Sequence, residues 1–288
     1  MLDARRKLEV LRAEWKGCTK CELGVRRETY NGMFVFGEGQ KRGIMFIGEG
    51  PGEKEELSGR PFVGPSGSLL RHILEKLRIH DFYITNLVTC RSCAQARTTD
   101  GEPVFIPGRR GKPPEPRWAD EPPIPANWKA CLPRLHEEIY LVDPRVIVTL
   151  GATAAEALLG KRIAITQKRG EPERLTIPGA SFAPILTDKK QAWQRKHEGR
   201  WIAPTAPNEV HYYCLPTIHP AYVLRKLSDL HPDESPFKKL VEDIQFAVKV
   251  YDDFNTRTFG QTPADTSDVS LEAIRAGLEP EDESELNV

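Results

Sequence analysis

An apolar run, Ile44-Met45-Phe46-Ile47, ends on the loop Gly48-Glu49-Gly50-Pro51-Gly52, and a second glycine- and proline-rich segment, Gly59-Arg60-Pro61-Phe62-Val63-Gly64, follows closely. The run reads as a buried strand. After the second segment Leu69, Leu70, Ile73, Leu74 and Leu77 recur at three- and four-residue steps, which predicts a helix from about Ser66 to Leu77. A loop leaving the C-terminal end of a strand for a helix is where open α/β sheets place their ligands. The glycines and proline let that backbone approach a ligand closely. Glu49 adds a carboxylate and Phe62 an aromatic face, a combination that suits a flat, polar-edged ligand better than a bare phosphate.

The pattern recurs along the chain. Phe82-Tyr83-Ile84-Thr85-Asn86-Leu87-Val88 is a second strand candidate, Arg145 to Leu150 a third and Cys214 to Ile218 a fourth. Helical patterns span Leu2 to Trp15, Trp128 to Leu141, Ala152 to Leu159 and Ser235 to Asp252. This alternation predicts an α/β fold, a three-layer α/β/α sandwich around a central, mainly parallel four-stranded sheet. A single domain is expected over residues 1–254, with polar inserts at about 92–127 and 178–212. Residues 95–130 contain eight prolines and no helical period, so a long loop is expected there.

Formal charge sums to zero over the 288 residues but is unevenly spread. Eight acids against Arg275 make Thr262 to Val288 −7, which leaves a basic body of +7 compatible with nucleic-acid binding. Residues 255–288 are expected to form an acidic, disordered tail. No apolar run approaches the roughly 20 residues of a membrane span, so no membrane partner is expected. The charged segment Met1 to Trp15 has no apolar signal-peptide core, and a cytoplasmic location is expected.

The second strand ends at Asn86, whose amide can both donate to and accept from a base edge. The fourth ends at His219-Pro220-Ala221-Tyr222-Val223-Leu224-Arg225. In a parallel sheet these ends would share one crevice, with Glu49, Phe62, Asn86 and His219 around one planar ligand. Each residue also has a plainer reading: Phe62 as a core plug, Glu49 as a cap, Asn86 as a turn residue, His219 as a structural histidine. Six cysteines in a cytosolic chain are metal ligands or plain thiols rather than disulfides. By spacing alone, Cys18-x-x-Cys21 and Cys90-x-x-Cys93 read as a zinc site. Cys214, inside a strand, reads as a buried apolar residue.

Taken in order, Gly48 to Gly52, Gly59 to Gly64, Thr85-Asn86, Val146 to Gly151, Lys168-Arg169-Gly170 and His219 to Tyr222 resemble the family 4 uracil-DNA glycosylases. The resemblance runs from about residue 14 to 251, interrupted by the two inserts. It implies a monofunctional enzyme of base excision repair that acts on uracil-containing DNA, single- or double-stranded, as a monomer. By the same resemblance Phe62 stacks on uracil, Asn86 reads its edge, and His219 bonds O2 as charge builds on the departing base. Glu49 positions water or stabilises the sugar cation, and Gly50 offers backbone N–H. A [4Fe–4S] cluster is implied on Cys18, Cys21, Cys90 and Cys131, with Cys93 as fallback and zinc as the alternative metal. The insert between Cys90 and Cys131 is much longer than the family pattern. Arg71, Arg169 and Arg225 are candidate phosphate contacts. Two rival readings are a protein that traps uracil-DNA and a non-catalytic DNA-binding protein of a mobile element or replication complex. A related subgroup of the family traps its target through a histidine in an Arg-rich loop between the second and third strands; the comparable region here has Gly108-Arg109-Arg110-Gly111-Lys112, and no histidine occurs from residue 81 to 135.

Overall fold

The computed structural model describes residues 4–95, 97–100, 102–106, 115–178, 201–202, 209–226 and 235–259. Helices α1 (Ala4–Lys16) and α2 (Glu22–Thr29) precede strands β1 (Glu38–Gly39) and β2 (Ile44–Gly48). Helices α3 (Glu53–Ser58) and α4 (Pro65–Lys76) lead to β3 (Phe82–Asn86). Four short strands follow, β4 (Cys93–Gln95), β5 (Phe105–Ile106), β6 (Glu115–Pro116) and β7 (Trp118–Asp120). Then come α5 (Pro125–Val142), β8 (Val146–Leu150), α6 (Ala152–Leu159), α7 (Ile165–Lys168) and β9 (Glu173–Pro178). Strands β10 (Trp201–Ile202) and β11 (Glu209–Thr217) and helices α8 (Pro220–Arg225) and α9 (Pro236–Phe259) complete the described fold.

The sheet has seven strands. Four of them, in the order β3-β2-β8-β11, are the parallel strands expected from the apolar runs. The other three are antiparallel additions at the margins: β1 on β3, and β9 and β10 on the N-terminal half of β11. These additions carry no long apolar run, so the central four-strand pattern does not reveal them. Every residue of β2 and β8 is buried, because helices cover both sheet faces. Met45, Ile47 and Ile147 pack with Leu11, Leu135, Ile139 and Leu158 on one face. Ile44, Phe46, Val146 and Val148 pack with Leu69, Ile73, Leu240 and Ile244 on the other. These two cores make the three-layer sandwich.

The first insert is not a structureless loop. Strands β4 and β7 pair antiparallel in the register Cys93↔Asp120, and β5 pairs β6 as Phe105↔Pro116. The excursion is thus a ribbon that leaves and returns at one place, and its prolines lie mostly between and beside the short strands. Gly108 to Lys112, most of the second insert and residues 260–288 lie outside the described residues. Helix α9 continues to Phe259, past the expected start of the tail. Among the described residues no helix is long and apolar enough to cross a membrane.

Candidate active site

Parallel pairing brings the C-terminal ends of β2, β3, β8 and β11 to one edge of the sheet. A cleft of about 640 Å³ opens there. Glu49, Gly50, Phe62, Asn86 and His219 all line it, so the structure brings together every residue the strand-end reading singled out. Arg225 lines it too.

Phe62 takes a left-handed backbone, φ 54°, and its side chain is only 5% exposed. That conformation is unusual for a bulky residue and marks a position fixed by its surroundings. Arg71 donates to Phe62 O at 3.0 Å and to Pro61 O at 3.1 Å. Gly67 passes so close that a Cβ there would fall 2.1 Å from the Phe62 carbonyl. Gly48 plays the matching part beneath the ring: a Cβ on it would fall 2.5 Å from both Phe62 Cζ and Asn86 Oδ1. The Phe62 ring lies nearly parallel to the His219 imidazole, 30° apart, with centroids 6.5 Å away.

Glu55 staples the two glycine-rich segments. Its Oε1 accepts from Val63 N at 2.9 Å and Gly64 N at 2.7 Å, and its Oε2 accepts from Gly52 N at 3.1 Å. Sequence reasoning missed this residue, although Gly52-x-x-Glu55 has the spacing of a capping box at the start of α3.

Glu49 accepts hydrogen bonds from both the side chain and the backbone of Thr153, in the first turn of α6. Burial nevertheless raises its pKa, and the Thr153 bonds and Arg225 offset that only in part. Gly151, with φ 97°, makes room for this contact, since a Cβ there would come 2.8 Å from Glu49 Oε1 and 3.4 Å from His219 Cβ. His219 caps α8, its Nδ1 accepting from Ala221 N at 3.1 Å. Enclosure of the ring, reinforced by Arg225, pushes its pKa down to about 4. The imidazole is therefore neutral near pH 7. With Nδ1 committed as an acceptor, the proton sits on Nε2, which is left as a donor.

Asn86 is 3% exposed. Beyond β3 the carbonyls of Asn86 and Leu87 are both held by Arg134 Nη2, at 2.8 Å each. The base of the ribbon also reaches the cleft, through Ser92, Asp120, Glu121, Pro122 and Pro123. It is latched there by Arg91, whose Nε bonds Asp120 Oδ1 at 2.6 Å.

Two expected phosphate contacts are otherwise engaged. Arg71 is tied to the Phe62 loop and to Glu38 at 2.8 Å. Arg169 is tied to Asp243 at 2.6 Å and Lys239 O at 3.1 Å. Of the three arginines, only Arg225 lines the cleft.

The cysteines divide. Cys90 and Cys131 are buried beside Cys21 in one apolar cluster. Cys90 lies within electrostatic reach of Cys131 and Cys21, and Cys131 of Cys21 and Cys18. Burial pushes the Cys90 thiol up to about 12 and raises that of Cys131. The charged neighbours of Cys93 are instead Arg26, Arg91, Glu56 and Asp120. Arg27, 1% exposed, sits against the group: its charge acts on Cys90, its Nη2 bonds Cys18 O at 3.3 Å, and its buried Nη1 has no partner. Among the described residues, no three His, Cys, Asp or Glu side chains come close enough to hold one metal ion.

The profile of the uracil DNA glycosylase superfamily matches residues 34–245. The type-4 uracil-DNA glycosylase of Thermotoga maritima is 37% identical over 226 residues, covering 77% of this chain and 85% of that protein. That of Sulfurisphaera tokodaii is 30% identical over 239 residues, covering 82% and 84%. That of Archaeoglobus fulgidus is 34% identical over 232 residues, covering 80% and 89%. With similarity spanning most of the fold and the cleft at its strand ends, the chain belongs to the uracil-DNA glycosylase superfamily, among the type-4 enzymes.

Proposed function

We propose that this protein hydrolyses the N-glycosidic bond of flipped-out deoxyuridine in DNA, releasing uracil and leaving an abasic site. The observation that carries the reading is the state of His219: neutral, with Nδ1 bonded to Ala221 N and Nε2–H free to donate into the cleft that holds Phe62 and Asn86. The difficulty of the reaction lies in the leaving group. As the bond to C1′ lengthens, negative charge gathers on the base, and a fixed donor in a partly dry site stabilises it. A neutral imidazole at O2 does this without transferring a proton.

Extrusion of the nucleotide costs a few kcal/mol. Stacking on Phe62 returns about 1–3 kcal/mol of that. The Asn86 amide donates to O4 of uracil and accepts from N3–H, whereas cytosine offers the reverse pattern and leaves both groups unpaired. Glu49, held at the start of α6, lies on the sugar side, where it orients water and stabilises the cationic sugar. Gly50 contributes backbone N–H. Arg225 grips a phosphate, and its charge adds to burial in holding His219 neutral. Residues 1–254 act as one domain, and the enzyme works as a monomer.

Cys18, Cys21, Cys90 and Cys131 would hold a [4Fe–4S] cluster, whose role would be to cross-link the segment between α1 and α2 to the residues after β3 and to α5. Support comes from the shared neighbourhood of these four thiols and from Arg27, a buried cation with an unpartnered N–H suited to an anionic group.

The test is incubation with an oligonucleotide containing one deoxyuridine, followed by hot alkali. Strand cleavage at that position is the expected result. A protein–DNA adduct that survives denaturation, or binding with no cleavage, overturns the reading.

A further inference from the structure

The residue that reads the base does not hold itself in place. Strand β3 ends at Asn86, and Leu87 beyond it is a bend. The N–H groups there are still served by the neighbouring strand, through Leu87 N to Gly48 O at 2.8 Å and Val88 N to Glu49 O at 3.2 Å. The carbonyls of Asn86 and Leu87 instead both point to one guanidinium, that of Arg134. Arg134 is 0% exposed, its Nη1 is bonded to Glu138, and Glu138 is itself 0% exposed. Glu138 Oε1 accepts from Tyr83 Oη at 2.8 Å and Gly37 N at 3.2 Å, and its Oε2 accepts from Thr85 Oγ1 at 3.2 Å. A pair of buried charges is thus satisfied on one side by β3 and the segment before β1. On the other it is spent on the carbonyls of Asn86 and Leu87.

A buried ion pair is a poor way to gain stability, because desolvating both charges offsets most of their attraction. What it supplies is direction: with Nη1 fixed on Glu138, the plane of the guanidinium is set, and the two N–H bonds of Nη2 are aimed at the Asn86 and Leu87 carbonyls, an orientation that a flexible ammonium does not impose. Resting on the proposed reading of Asn86, we infer that Arg134, oriented by Glu138, is a positioning residue that fixes the Asn86 amide against the uracil edge. Cys131 lies one helical turn before Arg134 on α5, and Cys90 four residues after Asn86. The arm that aims the reading group therefore shares both its segments with the cysteine group.

The experiment is a double-mutant cycle on kcat/KM for uracil-containing DNA, with inhibition by free uracil as a second readout. The paired change Arg134→Met with Glu138→Gln removes the fork without stranding a buried charge. It should lower kcat/KM about a hundredfold, the scale of a small misplacement of a reacting group. It should weaken inhibition by free uracil in parallel. In an Asn86→Ala background the same pair should cost less than about threefold more, since its route of action is already gone. Arg134→Lys, which keeps the charge and N–H donors but not the planar geometry, should recover part of the loss. Tyr83→Phe touches Glu138 but not the bend after Asn86, and should leave free-uracil inhibition unchanged. Losses that multiply in the Asn86→Ala background overturn the inference. So does unchanged free-uracil inhibition in a folded Arg134→Lys or paired variant. Absence of uracil release by the unaltered protein would instead refute the glycosylase reading beneath it.

Discussion

The cleft and the cysteine group are both built from segments distant in sequence, but they are held by different means. In the cleft, strand ends aligned by backbone pairing point side chains at open space. Each side chain there has its own local device: a left-handed residue for Phe62, Thr153 for Glu49, a cap bond for His219, a guanidinium for Asn86. In the cysteine group, Cys90 and Cys131 are buried in the core while Cys21 and Cys18, at the start of α2 and just before it, are only partly covered. This second arrangement brings thiols of raised pKa and a half-satisfied arginine into one place, and calls for a bound group to join them. Damage in the cleft should therefore remove activity and spare stability, whereas damage at the cysteines should do the reverse first.

The sharpest contrast comes from His219→Ala. Loss of a donor to a developing anion costs about 10²–10³ in kcat. Single-turnover kinetics should show that drop with iron content unchanged. Phe62→Ala should follow, with a loss of about 1–3 kcal/mol of base stacking read as weaker binding of uracil-DNA. Cys131→Ala should strip iron, bleach the brown colour and lower the melting temperature. Cys93→Ala should leave all three as they were. Equal iron loss in both would erase the distinction drawn between these two thiols.

The smallest effect is on pH dependence. His219 has a depressed folded pKa, about 4 against 6.5 for the free side chain, so between those values the unfolded chain binds the extra proton. Its contribution to stability is present above pH 6.5 and is lost as pH falls toward 4. Burial raises the Glu49 pKa, so protonation of its carboxylate should contribute to the acid limb of activity. Glu49→Gln should flatten the acid limb of kcat/KM as well as lower the plateau. An acid limb unmoved by Glu49→Gln would assign it to another group.

The four central strands and the convergence of Glu49, Phe62, Asn86 and His219 were legible because parallel strands buried on both faces leave continuous apolar runs. Their C-terminal ends then share an edge by topology. The supports were not. Thr153, Arg134 and Glu138 act through bonds to groups that the fold brings from other segments, Glu49 for Thr153, the Asn86 and Leu87 carbonyls for Arg134, and Tyr83, Thr85 and Gly37 for Glu138, while Glu55 reaches Val63 and Gly64 across a loop. Among them only Gly52-x-x-Glu55 carried a local sign. The partners of Arg71 and Arg169 were hidden for a related reason. A basic side chain looks the same in sequence whether it faces phosphate or, as here, the Phe62 carbonyl and the Asp243 carboxylate. The ribbon hid behind its prolines, since two- and three-residue strands leave no period to detect.

The central claim is that this cleft selects uracil through Asn86 and expels it toward His219. Free base released from matched oligonucleotides carrying deoxyuridine, deoxycytidine or thymidine at one position tests it most directly, in the unaltered protein and in Asn86→Asp. The unaltered protein should release uracil alone, and Asn86→Asp should lose that release while keeping its fold and iron. No uracil from the unaltered protein, or undiminished release by Asn86→Asp, would contradict the account.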